Sequence, residues 1–268
     1  MRNILSMAIA LVMALGIFGA ANAQSGDARI RIVHASPDAP AVDVYANGNK
    51  VLSNVTFFAA SDYLSVPAGS YKLQVVPAGE TDLSKAVIDA TADLKAGMDY
   101  TVAAVNAVAS IEPLVLMDNN AAPAAGKAHV RFVHASPDAP AVDIRVKGGP
   151  KLYSNVSFKG TGDYTPVDAG TYDLEVTAAG SDTVVKEIPG VKLEAGTVYT
   201  AWATNTLANL APEITVDAKA AAGSTPPAAP GNLPTTGAAD SLPALLVGAL
   251  ALAALGAGAL LRRRTARS

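Results

Sequence analysis

Two short stretches of the sequence carry residue types used in catalysis and metal binding. Residues 33–43 are V-H-A-S-P-D-A-P-A-V-D, and the same eleven residues recur without change at 133–143. Such a set could supply a nucleophile with its base, or carboxylate oxygens for a calcium ion. The candidate binding residues are therefore His34, Asp38, Asp43, His134, Asp138 and Asp143.

The spacing of this set argues against catalysis. Ser36 lies two residues after His34 at the end of a predicted strand, which leaves no in-line approach for a substrate, and no glycine-rich oxyanion turn follows. We therefore expect no enzyme, no catalytic residue and no cofactor. Calcium chelation lacks a D-x-D-x-D run and a third acid in the turn, so we predict no metal site. Binding of a glycan or divalent cation at these turns remains the alternative function.

Strand alternation gives the same residues a structural role. The run 29–34 alternates polar and apolar residues, so Ile30, Ile32 and His34 share one face and the two arginines share the other. This pattern predicts a core histidine at the end of a sheet, hydrogen-bonded to the turn at 36–40. Two prolines fix φ and remove two donors in that turn.

The agreement between the two stretches extends over about one hundred residues, a period typical of tandem domains. Short runs of period two, separated by proline or glycine, predict antiparallel β-sandwiches. The sequence thus predicts an all-β protein with a first repeat at 28–117, a linker at 118–127, a second repeat at 128–217 and an Ala/Pro/Gly-rich linker at 218–232.

Each repeat resembles the DUF 4397 family of small exported bacterial β domains, which often occur in tandem and contain the H-A-S-P-D-A-P-x-V-D stretch. The resemblance covers 28–117 and 128–217. It implies two tandem immunoglobulin-like sandwiches and no known activity.

Aromatic residues are few, and most of them repeat between the copies. Trp202 is the one tryptophan, and we favour core filling over a sugar-stacking platform for it. The repeated tyrosines are predicted to pack with hydrogen-bonded hydroxyls. They are Tyr63, Tyr71, Tyr100, Tyr164, Tyr172 and Tyr199.

The N-terminus has the features of a secretory signal peptide at 1–23. Arg2 precedes an apolar stretch at 4–21, and small residues at Ala21 and Ala23 form an A-x-A site before Gln24. We therefore predict export, with cleavage between Ala23 and Gln24. A retained N-terminal anchor is the alternative.

The C-terminus combines three features in a fixed order. Leu233-Pro234-Thr235-Thr236-Gly237 precedes an uncharged apolar run at 242–261, predicted as a single membrane helix, and three arginines at 262–264. This arrangement resembles the cell-wall sorting signals of Gram-positive-type bacteria. The resemblance implies that a sortase cysteine attacks the Thr236 carbonyl, releases Gly237, and passes the chain to a peptidoglycan amine. A plain single-pass membrane anchor is the alternative.

Composition narrows the partners further. The chain has no cysteine, which excludes disulfides, thiolate zinc sites and cysteine nucleophiles. The formal net charge is −3, and five of the basic residues lie in the segments predicted to be removed, so the mature surface is acidic and unsuited to nucleic acid. We expect a structural or adhesive protein on the cell wall, with sortase and peptidoglycan as partners. No feature names an extracellular ligand.

Overall fold

A computed structural model describes residues 26–220, in which β-strands are the main elements beside three single 3-10 turns. The predicted signal peptide, the sorting signal and the second linker beyond residue 220 lie outside the described residues. Across 26–220, no helix is long and apolar enough to cross a membrane.

The first repeat folds into eight strands in two four-stranded sheets. The spatial orders are β4-β1-β7-β8 and β3-β2-β5-β6. The strands are β1 (Asp27–His34), β2 (Val42–Ala46), β3 (Asn49–Val55), β4 (Leu64–Pro67), β5 (Gly69–Pro77), β6 (Ile88–Leu94), β7 (Asp99–Val105) and β8 (Glu112–Asp118).

The second repeat has the same sheet orders, β12-β9-β15-β16 and β11-β10-β13-β14. Its first strand therefore corresponds to β1, its second to β2, and so on through the eighth. The strands are β9 (Lys127–His134), β10 (Val142–Val146), β11 (Lys151–Val156), β12 (Thr165–Asp168), β13 (Gly170–Ala178), β14 (Val184–Leu193), β15 (Thr197–Thr204) and β16 (Ala211–Lys219).

One strand pair in each repeat departs from the antiparallel arrangement that the sequence predicts. β1 runs parallel to β7, with Arg31 opposite Thr101, and β9 runs parallel to β15 in the same register. The remaining sheet pairs are antiparallel. Period-two alternation predicts a strand and its buried face, but it contains no information about the direction of a neighbour that lies about seventy residues away.

The two sheets of each repeat pack face to face around an aliphatic core. In the first repeat, Ile30 and Ile32 of β1 meet Val44, Val75 and Ile88 of the opposing sheet. Alternation places these residues on one face, as the sequence predicts. The all-β prediction is therefore confirmed, with antiparallel pairing dominant in all four sheets.

The opposite face of the β1 sheet is also buried, because the two repeats pack against each other there. Val33, Leu116 and the aromatic ring of Phe58 from the first repeat share one apolar cluster with Val133 and Trp202 from the second. We call this contact the seam. The arginine face of 29–34, opposite the core face, therefore lies in part against the other repeat.

Candidate functional site

His34 and His134 are fully buried at the ends of β1 and β9. Nε2 of His34 lies 3.0 Å from the carbonyl oxygen of Pro40, and its Nδ1 accepts from the amide of Ser36 at 3.4 Å. His134 makes the same two contacts, at 3.1 and 3.4 Å. This bonding is complete only for a neutral imidazole, because Nδ1 must accept. Burial accordingly lowers the pKa of His134.

Asp43 and Asp143 are buried carboxylates that tie strand ends together. Asp43 accepts hydrogen bonds from the backbone amides of Asn54 at 2.8 Å and Gly79 at 3.1 Å, and it pairs with Lys50 at 2.6 Å. The hydrogen bond from Lys50 is the main cause that lowers the pKa of Asp43. Asp143 is bonded in the same way to the second repeat's counterparts of these groups.

Asp38 and Asp138 are exposed and bond in a third direction. The Asp38 carboxylate accepts from the amide of Val108 at 2.7 Å, at the start of the 3-10 turn before β8, and Asp138 accepts from Leu207 at the same distance. Each carboxylate thereby satisfies a backbone donor of a short helical turn. The bond links the repeated stretch to the 3-10 turn that precedes the last strand of its own repeat.

In each stretch the three candidate residues are close in sequence, but each of them bonds to a different part of the fold. The Ser36 and Ser136 hydroxyls are buried without a hydrogen-bond partner in 26–220, so each serine contacts its neighbouring histidine through its backbone amide and not through its hydroxyl. Within the same range, no group of three or more histidines, cysteines and acids is placed to hold a metal ion. The arrangement fits a structural role, in which these residues hold the turn against the rest of its repeat.

The seam holds a second polar cluster, which the sequence analysis did not single out. The Arg31 guanidinium is nearly fully buried and reaches across the seam to the Asp217 carboxylate at 2.8 Å and to the carbonyl oxygen of Val216 at 3.2 Å. On its own side it bonds to the Thr101 hydroxyl at 2.9 Å. Burial alone would lower the pKa of Arg31. The charge of Asp217 and the other neighbouring groups outweigh this effect, so the pKa is raised.

The second repeat contains an equivalent arginine with equivalent partners. Arg131 reaches back across the seam to the Asp118 carboxylate at 2.7 Å and to the carbonyl oxygen of Met117 at 3.1 Å, and it bonds to Thr200 of its own repeat at 2.9 Å. Arg131 occupies the place of Arg31, and Asp118 that of Asp217. The two buried ion pairs are therefore related by an approximate two-fold axis between the repeats.

Two tyrosines complete this cluster. Tyr63 donates to the Asp118 carboxylate at 2.6 Å, and Tyr164 donates to that of Asp217 at 2.8 Å. Burial and the adjacent carboxylate raise the pKa of both phenols. The guanidinium of Arg31 also lies 4.9 Å from the Tyr63 ring centre. Every buried charge in the cluster thus has several partners, which offsets its loss of water.

The remaining aromatic predictions agree with the structure. Trp202 is fully buried in the seam, where its indole donates to Thr215 at 3.1 Å and its ring packs edge-on against Phe58. Core filling is therefore confirmed over a sugar platform. The other four repeated tyrosines also use their hydroxyls: Tyr71 and Tyr172 donate to backbone carbonyls, and Tyr100 and Tyr199 accept from backbone amides.

The seam cluster was visible in the sequence only as a repeat. Arg31 and Arg131 occupy equivalent positions, as do Asp118 and Asp217 at the ends of the copies. A charged residue that recurs at the same position of an alternating strand was the available signal. Nothing in one chain's periodicity tells a buried arginine from a solvated one.

Comparison with solved structures returns only distant matches among those reported below. The Bacillus anthracis TIE protein matches at 14% identity and a TM-score of 0.22, over 68% of this chain and 34% of its own. The family CBM26 module CBMbc of Eubacterium rectale Amy13K, solved with maltoheptaose, matches at 13% identity and a TM-score of 0.24, over 71% of this chain and 95% of its own.

A leucine-rich repeat protein from Bacteroides thetaiotaomicron matches at 16% identity and a TM-score of 0.18, over 69% of this chain and 26% of its own. The chain therefore spans only about a third or a quarter of the first and third of these proteins. No curated protein matches the chain.

A family profile described as "Domain of unknown function (DUF4397)" matches residues 28–145 and 146–227. The break between the matched segments falls inside β10, whereas the change from one set of sheets to the next falls between Asp118 and Lys127. The matched residues make up most of the chain and include both copies of the repeated stretch. The chain therefore belongs to the DUF4397 family, with two copies of the repeat in tandem.

Proposed function

We propose that this chain is a non-enzymatic protein displayed on the bacterial cell surface, where sortase-type anchoring fixes it to the wall and its two repeats act as a structural or adhesive unit. The observation that carries the structural role is the internal use of the repeated polar stretch. His34, Asp38 and Asp43 each bond to groups of their own repeat, and their counterparts do the same.

The seam supports a display role as well. Two buried ion pairs and a shared apolar cluster fix the position of one repeat against the other. A unit whose domains keep one orientation presents a defined outer surface, as a spacer or an adhesive module requires. A loose linker between the repeats would leave that surface undefined.

Ligand binding at the H-A-S-P-D-A-P turns, for a glycan or a divalent cation, has less support. A cation would have to compete with Lys50 for Asp43 and with a backbone amide for Asp38, and those bonds are already made. A sugar would find only the exposed Asp38 and the prolines beside it.

For the fold of each repeat, we propose the immunoglobulin-like class. Two facing four-stranded sheets support this assignment, as does a first strand that joins the sheet containing the last two strands.

The test of anchoring is the mature C-terminus. Washed, detergent-boiled walls are digested with a muramidase, and the released protein is analysed by mass spectrometry. We expect a C-terminal peptide that ends at Thr236 and carries a wall fragment. Release by detergent alone, with 262–268 still attached, would contradict sortase anchoring and indicate a membrane anchor.

The motif itself supplies a matched pair of variants. Thr236→Ala changes the motif threonine whose carbonyl the sortase attacks, and Thr235→Ala changes the variable position of L-P-x-T-G. We expect the first to abolish wall linkage and the second to leave it intact. Loss of wall linkage in both variants, or in neither, would argue against recognition of the motif.

A further inference from the structure

The interior of the second repeat contains a cavity that the first repeat lacks. It has a volume of about 290 Å³, lies between the two sheets, and is lined almost wholly by aliphatic and aromatic side chains. The equivalent space in the first repeat measures about 20 Å³, which is room for about one water molecule.

Two sequence differences between the repeats remove apolar volume from the lining of the cavity. On the edge strand β6, Ile88 lies opposite Val75 and is buried in the core, but on β14 the corresponding residue opposite Val176 is the exposed Lys186. On the opposing sheet, buried Val102 of β7 is replaced by the smaller side chain of Ala201 on β15, although the larger Phe132 beside it stands in place of Ile32.

Lys186 is the one basic residue among those that line the cavity. Its cross-strand partner, Val176, faces the core, so the lysine side chain leaves the edge strand on the cavity side. None of the ion pairs found in residues 26–220 uses it. The cavity therefore has an apolar interior with a positive charge at its edge.

Two acids also border the cavity, and neither competes for this lysine. Asp168 is already paired with Lys127 at 2.8 Å. Glu213 is the cross-strand neighbour of Trp202, whose ring lies in the seam, so its side chain projects from the outer face of that sheet.

We propose that the second repeat binds a free aliphatic monocarboxylate, with its tail in the cavity and its carboxylate at Lys186. An apolar cavity of about 150 Å³ accommodates benzene, so one of twice that volume fits a tail of roughly ten to twelve carbons. The charge selects a carboxylate over a neutral head group. This proposal does not depend on wall anchoring, because it concerns only the interior of one repeat.

The test is calorimetric titration of the full chain, held in an amphipathic polymer, because a detergent tail would compete for the cavity. The probes are hexanoate, octanoate, decanoate and dodecanoate, with decanol as the uncharged control. We expect saturable binding at one site, with affinity rising about fourfold per methylene and levelling off near the length that fills the cavity.

Three variants locate the site. Lys186→Ile and Ala201→Val each install the residue that the first repeat already buries at the equivalent position, so both are expected to fold, with melting temperatures equal to or above that of the unaltered chain. Each should weaken saturable binding and shorten the chain length at which the affinity levels off. Lys186→Gln leaves the entrance open and should weaken decanoate about threefold, as expected for a partly exposed ion pair, with decanol unchanged.

The outcomes that would overturn the proposal are equally specific. They are the absence of saturable heat with any carboxylate, unchanged affinity and chain-length dependence in folded Lys186→Ile and Ala201→Val, and equal affinity for decanoate and decanol in the unaltered chain. A response to phosphatidylglycerol vesicles without a response to decanoate would assign the cavity to membrane acyl chains and would also refute it.

Discussion

At the scale of single residues, Arg31 and Arg131 combine a high cost of burial with complete pairing. A guanidinium taken out of water loses more hydration energy than one ion pair returns, unless further hydrogen bonds satisfy its remaining donors. Here each arginine has a carboxylate and a carbonyl across the seam and a threonine hydroxyl on its own side. Removing Asp217 would leave the Arg31 guanidinium buried without its ion pair, whereas Arg131 pairs with both Asp118 and Asp217.

We therefore expect Asp217→Ala to lower the free energy of unfolding by about 3–5 kcal/mol, because the Arg31 guanidinium loses its ion-pair partner inside the protein. Glu187→Ala is the matched control, since its pair with Lys147 is about half exposed on both sides and should contribute less than about 1 kcal/mol. Urea unfolding measures both. Similar losses for the two variants would show that the seam pair is not shielded from water.

The buried histidine of the second repeat predicts a pH dependence. Burial lowers the pKa of His134 in the folded chain below its ordinary value of 6.5, so the unfolded chain takes up a proton that the native imidazole resists. The contribution of His134 to stability is thus present above about pH 6.5 and lost as the pH falls below it. Asp43 and Asp143, whose pKa values are also lowered, lose their contribution only below about 3.8.

Urea unfolding at pH 7 and pH 5 tests this expectation. The unaltered chain should be less stable at pH 5, and His134→Gln, which has no group that titrates in this window, should show a smaller difference. An equal difference in both proteins would assign the pH dependence to other groups.

At the scale of elements, four asparagines close strand ends in a backbone conformation that most residues avoid. Asn54 and Asn155 both have φ of 52°, and Asn106 and Asn205 have φ of 75° and 67°. Left-handed φ costs an ordinary L-residue roughly 1 kcal/mol, whereas glycine adopts it freely and asparagine often does. The repetition of these asparagines between the copies therefore reflects backbone geometry.

We expect Asn155→Ala to destabilise the chain by about 1 kcal/mol and Asn155→Gly to be close to neutral. The bond from the Asn155 amide to Asp143 uses the backbone, so neither variant removes it. Thermal melting of the two variants distinguishes them. If both lose the same amount, the asparagine side chain itself provides the stabilisation, and not the positive φ.

Much at this scale was predictable from the sequence. Alternation at 29–34 predicted β1 and its core face, and proline and glycine predicted the turns between strands. The parallel partner of β1 and the burial of Arg31 were not predictable in this way, because both depend on what packs against a strand from far away in the chain. The cavity was not predictable from the sequence for the same reason, since it depends on Lys186 and Ala201 lying on two facing sheets.

At the scale of the whole molecule, the seam predicts that the repeats unfold together. The apolar cluster and the two ion pairs are lost when either repeat opens, which raises the cost of unfolding one repeat alone. Calorimetry should show a single transition for the unaltered chain. Trp202→Ala removes the largest side chain of the seam and should lower stability by about 3–5 kcal/mol and separate the transition into two.

The control is Leu73→Ala, which destabilises the core of the first repeat and leaves the seam intact. It should lower the melting temperature and keep a single transition. Two transitions in the unaltered chain, or separate transitions in Leu73→Ala, would mean that the seam does not couple the repeats.

The exchange of arginine and aspartate across the seam has a consequence for a single repeat in isolation. Because each copy presents both the arginine and the aspartate, its seam surface is complementary to a second copy of itself, as in symmetric homodimers. The tandem chain is thus equivalent to a homodimer whose subunits have been fused end to end. Fusion replaces a concentration-dependent association with an intramolecular one, so the paired form persists even when the protein is scarce.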